Sequence, residues 1–90
     1  MQVTIRYMAQ LKRAADTNSE TLEVDDQSTV QSLLVRLTRE HPDLERMLLN
    51  DGQLQPTILV FVGDDQVDDP QAQTLSEGDV VTLLSPIAGG

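Results

Sequence analysis

Ninety residues suffice for one domain with a modest core and leave no room for a second. The chain contains no cysteine, which excludes disulfides, thiolate nucleophiles and cysteine-based metal sites. Fifteen acids against six bases give a net charge of −9, which disfavours nucleic acid and anionic membranes and favours a basic partner surface.

The N-terminus alternates apolar and polar residues rather than carrying a continuous apolar stretch, so it does not read as a secretion signal. The longest apolar run, Ile58 to Val62, falls far short of the ~20 residues of a membrane helix. A cytoplasmic location is expected. Tyr7 and Phe61 are the only aromatic residues, so a stacking platform for bases or sugars is missing.

Val3, Ile5 and Tyr7 alternate with Gln2, Thr4 and Arg6, which predicts a strand with one buried face. Met8 continues the outward set, an apolar residue on a polar face. Ala9 to Asn18 reads as a loop or hairpin connection closed by the turn formers Asp16-Thr17-Asn18. Leu22 and Val24 alternate with Thr21, Glu23 and Asp25 as a second strand, antiparallel to the first. Ser28 followed by Gln31 fits a capping box that opens a helix. Val30, Leu33, Leu34 and Leu37 then form one apolar stripe, and Pro42 ends the helix near His41. Pro42 and Asp43 could open a short helical piece containing Leu44, Met47 and Leu48, punctuated by Asn50-Asp51-Gly52.

Ile58 to Val62 predicts a strand buried for much of its length, and Gly63-Asp64-Asp65 a tight turn into a short strand around Gln66 and Val67. After a polar loop from Asp68 to Thr74, the turn Leu75-Ser76-Glu77-Gly78-Asp79 feeds a last strand, Val80 to Leu84. The order β-β-α-β-β indicates an α+β domain with one main helix on one face of a mixed sheet. If the first and last strands lie side by side and parallel, Met8 and Leu84 emerge outward at the same end. An apolar docking patch there competes with the plainer reading of two scattered surface residues.

The body offers no self-sufficient active site. His41, the only histidine, reads as a solvated helix-end residue, and without cysteine no zinc ligand set assembles around it. Asp64, Asp65, Asp68 and Asp69 lack the spacing and turn glycine of a calcium loop. No metal and no bound cofactor are expected.

The end of the chain differs. Residues 1–84 read as the folded domain and residues 85–90, Ser85-Pro86-Ile87-Ala88-Gly89-Gly90, as an extended flexible tail. Fully extended, six residues reach about 20 Å, enough to carry a carboxylate into a partner's cleft. Gly89 and Gly90 let backbone pass where a Cβ would clash. A carboxylate becomes an acyl donor once its oxygen is made a leaving group, for instance by adenylation. If sulfur then attacks, Gly90 becomes a thiocarboxylate able to donate sulfur. The alternative is a tail whose glycines carry no chemistry.

The chain resembles the ubiquitin-like, β-grasp sulfur carriers, and most closely the MoaD family of molybdopterin synthase small subunits. The likeness covers nearly the whole chain: Val3-Thr4-Ile5-Arg6-Tyr7-Met8-Ala9-Gln10, then Ser28-Thr29-Val30, and above all LSEGDVVTLLSPIAGG at the end. The last stretch is similar to that family's L-x-x-G-D turn, apolar strand and P-[VI]-A-G-G ending. The resemblance implies a protein that is not catalytic alone. Gly90 would be adenylated, at the expense of ATP, by a ubiquitin-activating-type enzyme and then sulfurated. The tail, with Pro86, Ile87 and Ala88 contacting the partner, would enter the large synthase subunit of a heterotetramer. There it would give sulfur to cyclic pyranopterin monophosphate in molybdenum cofactor synthesis. Met8 and Leu84 match the family's partner-facing apolar patch.

Departures from the pattern are Val62-Gly63 where the family often has Val-Asn, a longer acidic loop after it, and Ser85 in place of the first of two prolines. They leave open a sister carrier for thiamine, cysteine or tRNA thiolation, or a protein modifier joined through Gly90 to a lysine.

Overall fold

The computed structural model describes residues 1–85. Strand β1 (Gln2–Met8) is followed by a short helix α1 (Gln10–Ala15) and strand β2 (Ser19–Glu23). The main helix α2 (Val30–Glu40) leads through a 3-10 turn (Pro42–Leu44) into helix α3 (Glu45–Leu48). Strands β3 (Leu49–Asn50), β4 (Gln53–Leu54), β5 (Leu59–Val62), β6 (Asp65–Gln66) and β7 (Val80–Leu84) complete the order. Among the described residues, one sheet runs β2-β1-β7-β5-β6, and β3 pairs with β4 apart from it. The sheet is mixed: β1 and β7 are parallel at its centre, and the other pairings are antiparallel. No helix among the described residues is long and apolar enough to cross a membrane.

The α2 stripe is buried as the periodicity predicts: Val30, Leu33, Leu34 and Leu37 join Val3, Ile5, Tyr7, Val60, Val81 and Leu83 in one core. Burying these side chains supplies the main favourable term of folding. The first free amides of α2 are met by the crossing acidic loop, with Val30 donating to the Gln73 carbonyl at 2.9 Å and Gln31 to that of Pro70 at 3.0 Å. Val67 and Leu75, both buried, pin that loop at its two ends.

Four local expectations are corrected. Ala9 to Asn18 contains helix α1, with Leu11 and Ala15 buried and Asp16 in the left-handed conformation at its end. Its residues are good helix formers, but six residues are too few to display a period. Strand β2 begins earlier than Thr21, because Glu20 occupies an inward position opposite Ile5 and breaks the apolar alternation. Asn50-Asp51-Gly52 does more than end a helix. Asp51 and Gly52, with φ of 53° and 77°, make the two-residue turn of the β3–β4 hairpin.

The fourth concerns the cap of α2. Thr29, not Ser28, is the capping residue: its hydroxyl accepts from the Ser32 amide at 3.1 Å, and the Ser32 hydroxyl accepts from the Thr29 amide at 3.0 Å. Ser28 is held one residue earlier in a turn, its amide donating to Asp25 and its carbonyl accepting from Leu75. Gln31 instead reaches the Gly52 carbonyl at 2.7 Å. Thr29→Ala should therefore cost about 1 kcal/mol of stability in urea unfolding. Ser28→Ala should stay within about 0.5 kcal/mol. The reverse ranking would place the cap where the spacing alone suggested.

Candidate functional site

Residues directly opposite each other in adjacent strands share a face of the sheet. Register therefore settles what surrounds Met8. Met8 pairs with Leu84, and Leu84 pairs on its other side with Leu59, so three apolar side chains form one row across β1, β7 and β5. The next row is Arg6, Thr82 and Phe61. The opposite face carries the core residues Tyr7, Leu83 and Val60. Met8 is 39% exposed, and Leu84, Leu59 and Phe61 are partly exposed. The side-by-side, parallel arrangement of the first and last strands is thus present. Met8 and Leu84 both lie on the open face, at the end of β7 that leads to Pro86.

Leu59 completes this row and Phe61 adds an apolar side chain to the next, and both were hidden in the sequence. In a run that is apolar on both faces, alternation gives no contrast, so Ile58 to Val62 reads as buried for much of its length with no sign of which residues face outward. The structure divides it: Ile58 and Val60 face the core, Leu59 and Phe61 the open side. Met8, Leu84 and Leu59 thus lie side by side in register rather than as scattered single residues. The expected tail sites, Pro86, Ile87, Ala88, Gly89 and Gly90, lie outside the described residues. Ser85, the first residue of the expected tail, is buried.

His41 departs from its expected place in solvent. It closes α2, but its Nε2 lies 2.6 Å from Glu20 Oε2, and the same oxygen accepts from the Tyr7 hydroxyl at 2.6 Å. The Tyr7 and His41 rings also meet edge to face, with centroids 5.9 Å apart. The inward Glu20 is thus satisfied by two partners from β1 and the end of α2, which ties the edge strand to the helix. The ligand atoms of Glu20, Glu40 and His41 lie within 4.8 Å of one another. Glu40 is engaged by Arg36 Nε at 2.8 Å, and Glu20 Oε2 is already shared by Tyr7 and His41. This cluster is explained as a structural tie.

The geometry can be set against known proteins. The family model described as the ThiS family matches residues 5–90. The chain belongs to the ThiS family. It is a sulfur carrier of the ubiquitin-like β-grasp type. Over 92 residues it is 32% identical to small archaeal modifier protein 3 of Haloferax volcanii, covering 100% of both chains. It is 26% identical over 90 residues to the molybdopterin synthase sulfur carrier subunit of Chlamydomonas reinhardtii, again covering 100% of both. The crystal structure of SAMP1 from Haloferax volcanii superposes with a TM-score of 0.90 at 26% identity, covering 100% of each chain. The β-grasp architecture expected from the sequence is present.

Burial, followed by the hydrogen bond to Glu20, pushes the Tyr7 phenol well above its ordinary value. A folded-state value above the unfolded one contributes stability below pH ~10 that is lost as pH rises past it. The unfolding free energy from urea titration should fall on going from about pH 9 to about pH 11, by up to about 1.4 kcal/mol per pH unit above the unfolded tyrosine value. Tyr7→Phe should be less stable near neutrality, lacking the bond to Glu20, and should lose most of this alkaline slope. An unchanged slope in the variant would mean that Tyr7 is not the responsible group.

Proposed function

We propose that this carrier delivers sulfur from a thiocarboxylate on Gly90 as the small subunit of a molybdopterin synthase. The observation that carries the reading is the Met8–Leu84–Leu59 row. It supplies an apolar docking surface at the end of the strand that leads to Gly90. The full-length similarity to a synthase sulfur carrier subunit supports the choice of pathway.

In the proposed sequence, a Gly90 carboxylate oxygen attacks the α-phosphate of ATP, held by a ubiquitin-activating-type enzyme, and pyrophosphate leaves. A sulfur nucleophile then displaces AMP from the Gly90 carbonyl. The resulting thiocarboxylate enters the large subunit, its sulfur bonds to the pyranopterin, and water cleaves the acyl–sulfur bond so that Gly90 leaves as a carboxylate. Two such transfers build the dithiolene that holds molybdenum. In this reading Pro86, Ile87, Ala88 and Gly89 contact the partners along the way, and no cofactor resides in the carrier itself. The setting is the cytoplasm.

A second reading is favoured by the 32% identity, over both full lengths, to a protein named as a modifier. There the nucleophile displacing AMP is a lysine amine, and Gly90 ends in an isopeptide bond. Mass spectrometry of the protein co-expressed with its adenylating enzyme separates the two. One oxygen-to-sulfur exchange at Gly90 is the expected result. Adducts on other proteins with no thiocarboxylate would favour the modifier.

Deleting Gly90 should abolish sulfuration and leave the unfolding midpoint unchanged, and a truncated chain that still accepts sulfur would defeat the proposal. Met8→Asp should shift stability by no more than about 0.5 kcal/mol. The same change should weaken binding to the adenylating enzyme at least tenfold, or about 1.4 kcal/mol. Unchanged affinity would remove the row from the docking surface.

A further inference from the structure

Ser85 stands one position beyond Leu84, the last paired residue of β7. It is only 5% exposed, yet among the described residues its hydroxyl finds no hydrogen-bond partner. A buried hydroxyl in this condition is costly, because it has given up its bonds to water and gained none in return. Other buried hydroxyls of the chain are satisfied. Thr38 donates to the Val35 carbonyl at 2.7 Å, and Tyr7 to Glu20 at 2.6 Å. Alanine would fill nearly the same space as Ser85 without the unmet group.

A second cost lies at the same end of the sheet. Ala9 follows Met8 as Ser85 follows Leu84, and Met8 and Leu84 are paired. The backbone of Ala9 has φ 55° and ψ −129°, a region that suits glycine and strains alanine. Strain of this kind persists where the surrounding structure imposes it, and it gathers at sites of function. Here it stands beside the unmet hydroxyl, at the point where β7 ends.

We propose that Ser85 is a positioning residue for the activation of Gly90: its hydroxyl, unpaired in the free carrier, donates to a main-chain carbonyl of the adenylating enzyme once the two are docked. This rests on the reading that such an enzyme activates Gly90. Four residues stand between Ser85 and Gly90, so the bond fixes the chain within about 17 Å of the reacting carboxyl group. The Met8–Leu84–Leu59 row holds the body against the enzyme, and the Ser85 bond sets where the span to Gly90 begins. Docking has to turn Ser85 out of its buried place, and the hydrogen bond gained there offsets that movement. Removing the hydroxyl therefore acts in opposite senses on the two states: the free carrier becomes more stable and the complex weaker. A side chain that merely packed would not couple the two in this way.

The test compares the wild type with Ser85→Ala, each as the full chain. Urea unfolding reads the free carrier, equilibrium binding to the adenylating enzyme without ATP reads docking, and pyrophosphate exchange with magnesium ATP reads activation. Ser85→Ala should unfold at a higher urea midpoint than the wild type. It should bind the enzyme about three- to tenfold more weakly, which fits the loss of one neutral hydrogen bond. In exchange, the KM for the carrier should rise by the same factor at unchanged kcat, since the bond is made on docking and kept through the reaction.

A midpoint that stays put or falls shows the hydroxyl already satisfied in the free carrier, and overturns the proposal. Unchanged affinity overturns it as well, and so does a loss confined to kcat. A wild type that binds without exchange is a different failure. It removes the activation of Gly90, while the two affinities still decide the part played by Ser85. A wild type that does not bind removes both.

Discussion

Parallel pairing of β1 with β7 at the centre of the sheet is the constraint from which the other features follow. Two strands that begin and end the described chain cannot be joined by a short turn when they run the same way. The intervening residues must cross from one end of the sheet to the other, and α2 makes that crossing over one face. Covering that face fixes the register. A slip of one residue would turn Ile5, Tyr7, Val81 and Leu83 outward and remove the sheet's half of the core. The same register sets Met8 beside Leu84. The position of the apolar row is thus determined by how the core packs on the other side.

The edges of the sheet show how little slack the arrangement has. On β2, the inward position opposite Ile5 is taken by Glu20, a charge on the core side of an edge strand. Such a group is costly unless it is partnered. Tyr7 from β1 and His41 from the end of α2 supply the partners, so a potential defect becomes a joint between three elements. On the far side, β6 is only two residues long and begins after a turn in which Gly63 takes a φ of 59°. A short edge strand followed by acidic residues resists pairing with other chains. The inward charge on β2 and the shortness of β6 both disfavour strand addition at the edges, while the apolar row lies across β1, β7 and β5 at the end where β7 finishes.

What could be read from the sequence follows from how strongly each segment separates two faces. β1, β7 and α2 contrast apolar with polar at a clear period, and their buried residues were legible, as were the parallel pairing of β1 with β7 and the outward Met8. Helix α1 has only Leu11 and Ala15 to mark it. The cap of α2 lies in a Ser-Thr pair where either hydroxyl satisfies the spacing, and only the turn that holds Ser28 decides between them. Leu59 and Phe61 were invisible for the opposite reason, being apolar among apolar neighbours. His41 was misplaced because its partner, Glu20, is 21 residues away in sequence and on another element. No local signal connects the two.

The chemistry of the body points away from the body. Its one histidine and its one tyrosine are both committed to Glu20, and the neighbouring Glu40 is held by Arg36. The bonds among these side chains join β1, β2 and the end of α2, which is a structural role. What the open face offers instead is the uncharged row Met8, Leu84 and Leu59 at the end of β7, on a molecule that is otherwise strongly acidic. Long-range repulsion keeps such a molecule apart from most of its acidic surroundings and speeds its encounter with a basic surface. In the proposed function, affinity then comes from the uncharged row, because exposed charges at a rim contribute little to it. This division of labour suits, in that function, a carrier handed from an adenylating enzyme to a synthase, with release kept possible because the row is only three side chains wide.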